Sequence, residues 1–219
     1  IGATTGNSSI YVASTTTGAQ VVGIYATSAN TVAIQNNTIG SIDAAGTSAT
    51  LRSGITGIDT AGAGNFSITN NFIGNADANN LRSGHFLSGA NLTNNNGTAT
   101  STTGGTAFLM GIRSTMTGNV LAITGNTLRG WSTSGTVTPV TGIFTAGTLT
   151  GTTPTLNINT NSFGTSARDF MTYAVANSGT LAGISSSTVA TTSNVNGNDI
   201  RGIVHSVAGS SGHTYINYT

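Results

Sequence analysis

An internal repeat constrains this chain more than any other feature. The string apolar-x-Ile-x-x-Asn-x-apolar, usually closed by Gly, appears as Val32-Ala33-Ile34-Gln35-Asn36-Asn37-Thr38-Ile39-Gly40. It returns as Phe66-Ser67-Ile68-Thr69-Asn70-Asn71-Phe72-Ile73-Gly74. Further copies run from Leu121 to Leu128, from Leu156 to Gly164 and from Val195 to Ile200. The aligned asparagines are Asn37, Asn71, Asn126, Asn161 and Asn198, separated by 34, 55, 35 and 37 residues. A second mark precedes each copy: Gly23-Ile24, Gly57-Ile58, Gly111-Ile112, Gly142-Ile143 and Gly183-Ile184. From that Gly to the aligned Asn the offsets are 14, 14, 15, 19 and 15. Two marks tied at a near-constant distance define a structural unit, and periods of this length belong to stacked-repeat architectures.

Each copy alternates apolar and polar residues, the periodicity of a half-buried strand. A strand with two or three inward apolar residues cannot bury its face alone, so successive coils must stack and share a core. Equivalent segments then run the same way, and neighbouring coils lie ~4.8 Å apart in parallel sheets. The expectation is an all-β solenoid of about six coils of ~34–37 residues, with roughly twenty extra residues in one coil. Gly202-Ile203 leads to an incomplete sixth copy at Tyr215-Ile216-Asn217, and Ile1-Gly2 resembles the tail of an earlier one. Residues 1–219 are therefore expected to form a single β-helix segment cut within a repeat at both ends.

Composition supports this reading. Among 219 residues only 5% are charged, comprising six Arg and five Asp with no Lys and no Glu. Helix formers are scarce, which argues against a helical bundle. No Cys is present, which removes disulfide and thiolate-metal chemistry. A formal net charge of +1 argues against nucleic-acid binding. No apolar run approaches the ~20 residues of a membrane helix. The 37% hydrophobic content separates the chain from a disordered polar tract.

The recurring Asn suits a bend between strands. Asn tolerates left-handed backbone angles, and its amide can bond to backbone or to the equivalent Asn of the next coil. Asn37, Asn71, Asn126, Asn161 and Asn198 are thus expected to form a structural ladder.

This pattern resembles the right-handed parallel β-helix repeat of secreted bacterial proteins. The long coils, the Asn-Asn-Thr-Ile-Gly wording and the Thr, Ser, Asn and Gly bias resemble the very large repetitive surface proteins of Bacteroidota. The resemblance covers nearly the whole chain. It implies export through a type IX route, an extracellular or cell-surface location, and in several such proteins an adhesive role.

Length differences between coils fall into loops, where binding residues often lie. Asp43 follows Ile39 by four residues and Asp77 follows Ile73 by four. The strings Leu51-Arg52-Ser53-Gly54 and Leu81-Arg82-Ser83-Gly84 follow them. Asp43 and Asp77, and Arg52 and Arg82, are expected to be neighbours on adjacent coils, as a loop ion-pair ladder or a weak cation site. The extra residues of the third coil are placed in a loop or small hairpin over 85–105. Asp59-Thr60-Ala61 resembles a Bacteroidota O-glycan acceptor, which marks Thr60 for glycosylation.

Catalytic signals are sparse. Glycoside hydrolysis needs two carboxyls at ~5–9 Å, and only Asp43, Asp59, Asp77, Asp169 and Asp199 are available. His85, His205 and His213 lack metal-ligand spacing. Trp131, Tyr173, Tyr215 and Tyr218 could stack on sugars, although core filling explains Trp131 more simply. Arg113, Arg129, Arg168 and Arg201 are scattered singly and are expected in solvent. The expected function is a non-catalytic structural or adhesive segment of a large surface protein, with no cofactor and no metal. Its expected partners are other segments of the same protein, neighbouring surface proteins or carbohydrate, with neither nucleic acid nor membrane insertion. The alternatives are a carbohydrate-active β-helix enzyme and an ice-binding solenoid built on Thr98-Ala99-Thr100, Thr136-Val137-Thr138 and Thr148-Leu149-Thr150.

Overall fold

A computed structural model describes residues 1–3, 9–14, 20–46, 54–86, 108–133, 135, 137–210 and 212–219. These residues form a parallel β-helix. Four sheets, A to D, run along it, two of six strands and two of five, and every strand pairs in parallel with its equivalent in the next coil. One coil illustrates the rest: Ile42–Gly46 in sheet A, Gly54–Ala61 in B, Phe66–Thr69 in C and Phe72–Ile73 in D. The sixth coil supplies Ile203–His205 to sheet A and His213–Tyr218 to sheet B. Among the described residues there is no helix.

The interior consists of columns of like side chains. Sheet C stacks Ile34, Ile68, Ile123, Ile158 and Val195 in register. Sheet D stacks Ile39, Ile73, Leu128, Phe163 and Ile200. Sheet B stacks Ile24, Ile58, Ile112, Ile143, Ile184 and Ile216. Fully burying such a side chain contributes ~1.5–3 kcal/mol, so the core gains stability with each added coil. Trp131 fills a sheet A column between Leu81 and Met171. It is 1% exposed, donates from Nε1 to Ile73 O at 2.9 Å and packs on Phe170. It is therefore a core residue.

The two marks of the repeat meet across the coil, which explains why they occur together. The Gly of each Gly-Ile pair stacks on the next and faces the apolar residue of sheet D. A Cβ at Gly57 would lie 2.7 Å from Ile73 Cγ2 and 2.7 Å from Gly111 O. A Cβ at Gly142 would lie 2.2 Å from Phe163 Cε1 and 2.6 Å from Gly183 O. The hydrogen at this position lets sheet B approach the corner that carries the Asn. The variable offset between the marks is absorbed beyond sheet B, as in the 149–154 connection, where Leu149 turns back into the core.

The 85–105 insertion begins later than the spacing predicts. The sheet A strand Leu81–Phe86 continues through His85 and Phe86, which pair with Ala45 and Gly46. The rest of that span, and Arg52, lie outside the described residues.

Candidate functional site

At the corner between sheets C and D the five asparagines stack one per coil. Asn37, Asn71, Asn126 and Asn161 each donate two bonds to Oδ1 of the next asparagine, one from the backbone N–H and one from Nδ2, all at 3.0 Å. The second Nδ2 hydrogen goes to a carbonyl of the preceding coil: Asn71 to Ile34 O, Asn126 to Ile68 O, Asn161 to Ile123 O and Asn198 to Ile158 O, at 2.8–2.9 Å. Asn71, Asn126 and Asn161 are fully buried. Both donors and the acceptor of each inner amide are used, as burial of a polar group demands. The backbone explanation needs correction. The left-handed residue is the one before the ladder, namely Asn36, Asn70, Gly125, Thr160 and Gly197, with φ between 55° and 68°.

The expected Asp43–Asp77 neighbours are not in register. The 74–80 connection of the second coil is longer than its counterpart in the first. It places Leu81 beside Ile42 and Arg82 beside Asp43. Arg82 grips Asp43 through Nη2 and, at 3.2 Å, through Nε. The carboxylate side chain is 1% exposed and the guanidinium 13%. Tyr11 flanks the acid in the first coil. Burial, and then the Asp43 charge, raise the Tyr11 hydroxyl above its ordinary pKa. Asp77 instead sits in the turn, its N–H bonded to Asn75 Oδ1 at 2.6 Å.

A second ion pair was not anticipated. Asp59 and Arg113 follow Gly57-Ile58 and Gly111-Ile112, and they face each other across sheet B. Arg113 Nη1 donates to Asp59 Oδ1 at 2.9 Å and Oδ2 at 3.2 Å. The expectation of solvated single arginines also fails elsewhere. Arg129 lies over Phe72 at 5.5 Å and Arg168 Nε donates to Ala76 O at 2.6 Å. Arg201 is exposed, as expected, and pairs there with Asp199. Asp59 and Arg113 line a cleft of about 340 Å³ with Gln20, Thr56, Phe108 and Met110.

Thr60 points inward. It is 0% exposed and its hydroxyl donates to Ser114 Oγ at 2.9 Å, so the folded chain does not present it to a glycosyltransferase. The row continues through Thr145 and Ser186, joined at 2.8 Å, as a second internal polar ladder. Its Thr/Ser alternation offered a sequence signal. The threonine triplets do not form one array: Thr138 is buried against Thr133, and Thr148 pairs with Val189. Thr98, Thr100 and Thr136 lie outside the described residues.

At the C-terminal end of the stack two histidines meet. His205 Nε2 and His213 Nε2 are 3.0 Å apart, and Tyr173 stacks on His205 at 4.4 Å. Desolvation, and then the neighbouring His205, lower the His213 pKa. Burial holds the Tyr173 phenol far above its ordinary range. Among the described residues no group of three His, Asp, Glu or Cys side chains converges on a metal position. No protein-family model, curated protein or solved structure matches this chain.

Proposed function

We propose that this chain is a non-catalytic structural and adhesive segment of a large bacterial surface or extracellular protein. The observation that carries the reading is the direction of the repeated chemistry. Asn37, Asn71, Asn126 and Asn161 each bond along the axis to the next coil, and the Gly of each Gly-Ile pair makes room for stacking. A repeat spent on its own propagation builds a rod that gives reach. Variable positions fall on outward faces and in connections, where contact with partners occurs.

The two most buried acids act in the same sense. Asp43 and Asp59 are each held by an arginine from the adjacent coil, as cross-strand braces. The test is a turnover assay of the purified segment on neutral and acidic polysaccharides, with Asp43→Asn and Asp77→Asn variants alongside. No product is expected. Reducing-end release that disappears in either variant would replace the scaffold reading with a carbohydrate-active enzyme.

A further inference from the structure

Sheet B carries one outward column unlike its neighbours. In register it reads Tyr25, Asp59, Arg113 and Phe144 over four successive coils. Tyr25 is 63% exposed and Phe144 is half-buried. Between these two aromatic rings lies the Asp59–Arg113 pair, with the acid nearly buried and the guanidinium side chain 38% exposed. Three strand spacings separate the aromatics, on the order of 14 Å.

The cleft beside this column is built. Gly54 lacks the side chain that would collide with Phe108: a Cβ there would lie 2.3 Å from its ring. The Phe108 ring therefore settles onto the sheet and walls the cleft. On the other side Gln20 Nε2 donates to Thr56 Oγ1 at 3.2 Å, which fixes an amide at the rim. Among the described residues only Nη1 of Arg113 is engaged, so the remaining guanidinium donors are available. The Asp59 carboxylate, steadied by Nη1, keeps acceptor capacity beyond that contact.

We infer that this face binds a neutral oligosaccharide, stacked on Tyr25 and Phe144 and hydrogen-bonded to the Asp59–Arg113 pair; the inference rests on the adhesive reading and names its contact surface. The chemistry matches in three respects. Aromatic faces accept the C–H faces of pyranose rings. A carboxylate beside a guanidinium offers acceptor and donor together, which adjacent hydroxyls require. The two charges cancel, so the pair does not select an anion. The column crosses the coils, so the saccharide would lie along the rod and meet one aromatic at each end.

Isothermal titration of the segment with cellohexaose, maltohexaose, laminarihexaose, mannohexaose and chitohexaose tests the inference. At least one is expected to bind. Tyr25→Ala, an exposed change that leaves the core intact, should weaken it about five- to tenfold. Arg113→Gln should weaken it by at least as much, with unchanged circular dichroism. Binding of none of these probes, or binding unaffected by Tyr25→Ala and Arg113→Gln, overturns the inference. So does a segment that, titrated in parallel with oligogalacturonate, takes only that anionic sugar. Each of those results leaves the rod reading standing, which fails on turnover instead.

Discussion

At the corner between sheets C and D, five amides bond in series along the axis; at the C-terminal end of sheets A and B, two imidazoles meet head-on. Both are polar contacts within the same solenoid, but they solve different problems. The amide carries donors and acceptor together, so each rung satisfies its neighbours and the pattern extends without limit. The imidazoles end columns of other chemistry. His213 follows Val21, Ile55, Leu109, Val140 and Leu181, and His205 follows Ser83, Thr133 and Tyr173. The 5.0 Å between ring centres is close to the 3.0 Å N···N gap plus a ring radius at each end. The rings therefore meet edge to edge, and one Nε2 donates while the other accepts. A repeating column is indifferent to pH, whereas a terminal imidazole pair is not.

The most direct way to break the comparison is to remove an inner amide. Asn126→Ala orphans the Asn71 N–H, one Asn71 Nδ2 hydrogen and the Ile68 carbonyl, all buried. At ~1–3 kcal/mol per orphaned group the loss should be about 4 kcal/mol. Asn37→Ala removes the half-buried first rung; Asn71 Oδ1 keeps the Asn37 backbone N–H and no buried donor is orphaned, so the cost should be about 1 kcal/mol. Urea titration of both variants checks the ratio; equal losses would mean that the ladder does not act as a buried column.

Gly142→Ala tests whether the second mark is a packing device. The added methyl meets Phe163 and the backbone oxygen of Gly183, and the oxygen cannot move without shifting a coil. The expected loss is about 3 kcal/mol. Gly212→Ala serves as the control, because a Cβ there meets nothing within 4 Å. Phe163→Leu should recover part of the Gly142→Ala loss if the ring is the main obstacle.

The ladder was legible in the sequence because its residues recur, and the stacked parallel fold follows from the same recurrence. The left-handed position was legible too, since Asn36, Asn70, Gly125 and Gly197 are residue types that accept it, but the ladder Asn drew attention one residue late. Asp59–Arg113 could have been found by aligning the residues after each Gly-Ile pair. Asp43–Arg82 could not be found by counting. The 74–80 turn has no counterpart of equal length in the coil before, and a count forward from Ile73 lands in that turn. The His pair carries no repeat mark, because His205 and His213 occupy different columns that only the closed coil brings together.

The His pair sharpens the comparison through pH. The lowered His213 pKa means that the folded chain binds fewer protons there than the unfolded chain, whose imidazole titrates near 6.5. The stability is fully present above about pH 6.5 and is lost as pH falls through the lower folded value. Thermal melts between about pH 8 and pH 5 should show the midpoint falling below pH 6.5. His213→Leu continues the apolar column of Leu181 and should flatten that slope. An unchanged slope would place the sensitivity elsewhere.

The smallest expected effect is a gain. Four of the five left-handed positions before the ladder hold Asn or Gly, and the fifth holds Thr160 at φ 55°. A β-branched residue is strained there, while Asn accepts the region with less cost. Thr160 is exposed, and its hydroxyl bonds only to the carbonyl of Asn159, so the substitution removes no side-chain hydrogen bond to the next coil. The bond that matters, from Thr160 N–H to Asn196 O at 2.9 Å, belongs to the backbone and is retained. Thr160→Asn should therefore stabilise the segment by about 1 kcal/mol, and Thr160→Gly by less, because Gly loses more chain entropy on folding. If Thr160→Asn instead destabilises in urea titration, the turn at this rung differs from the turns at Asn36 and Asn70. The corner would then be a set of individually tuned bends rather than one repeated device.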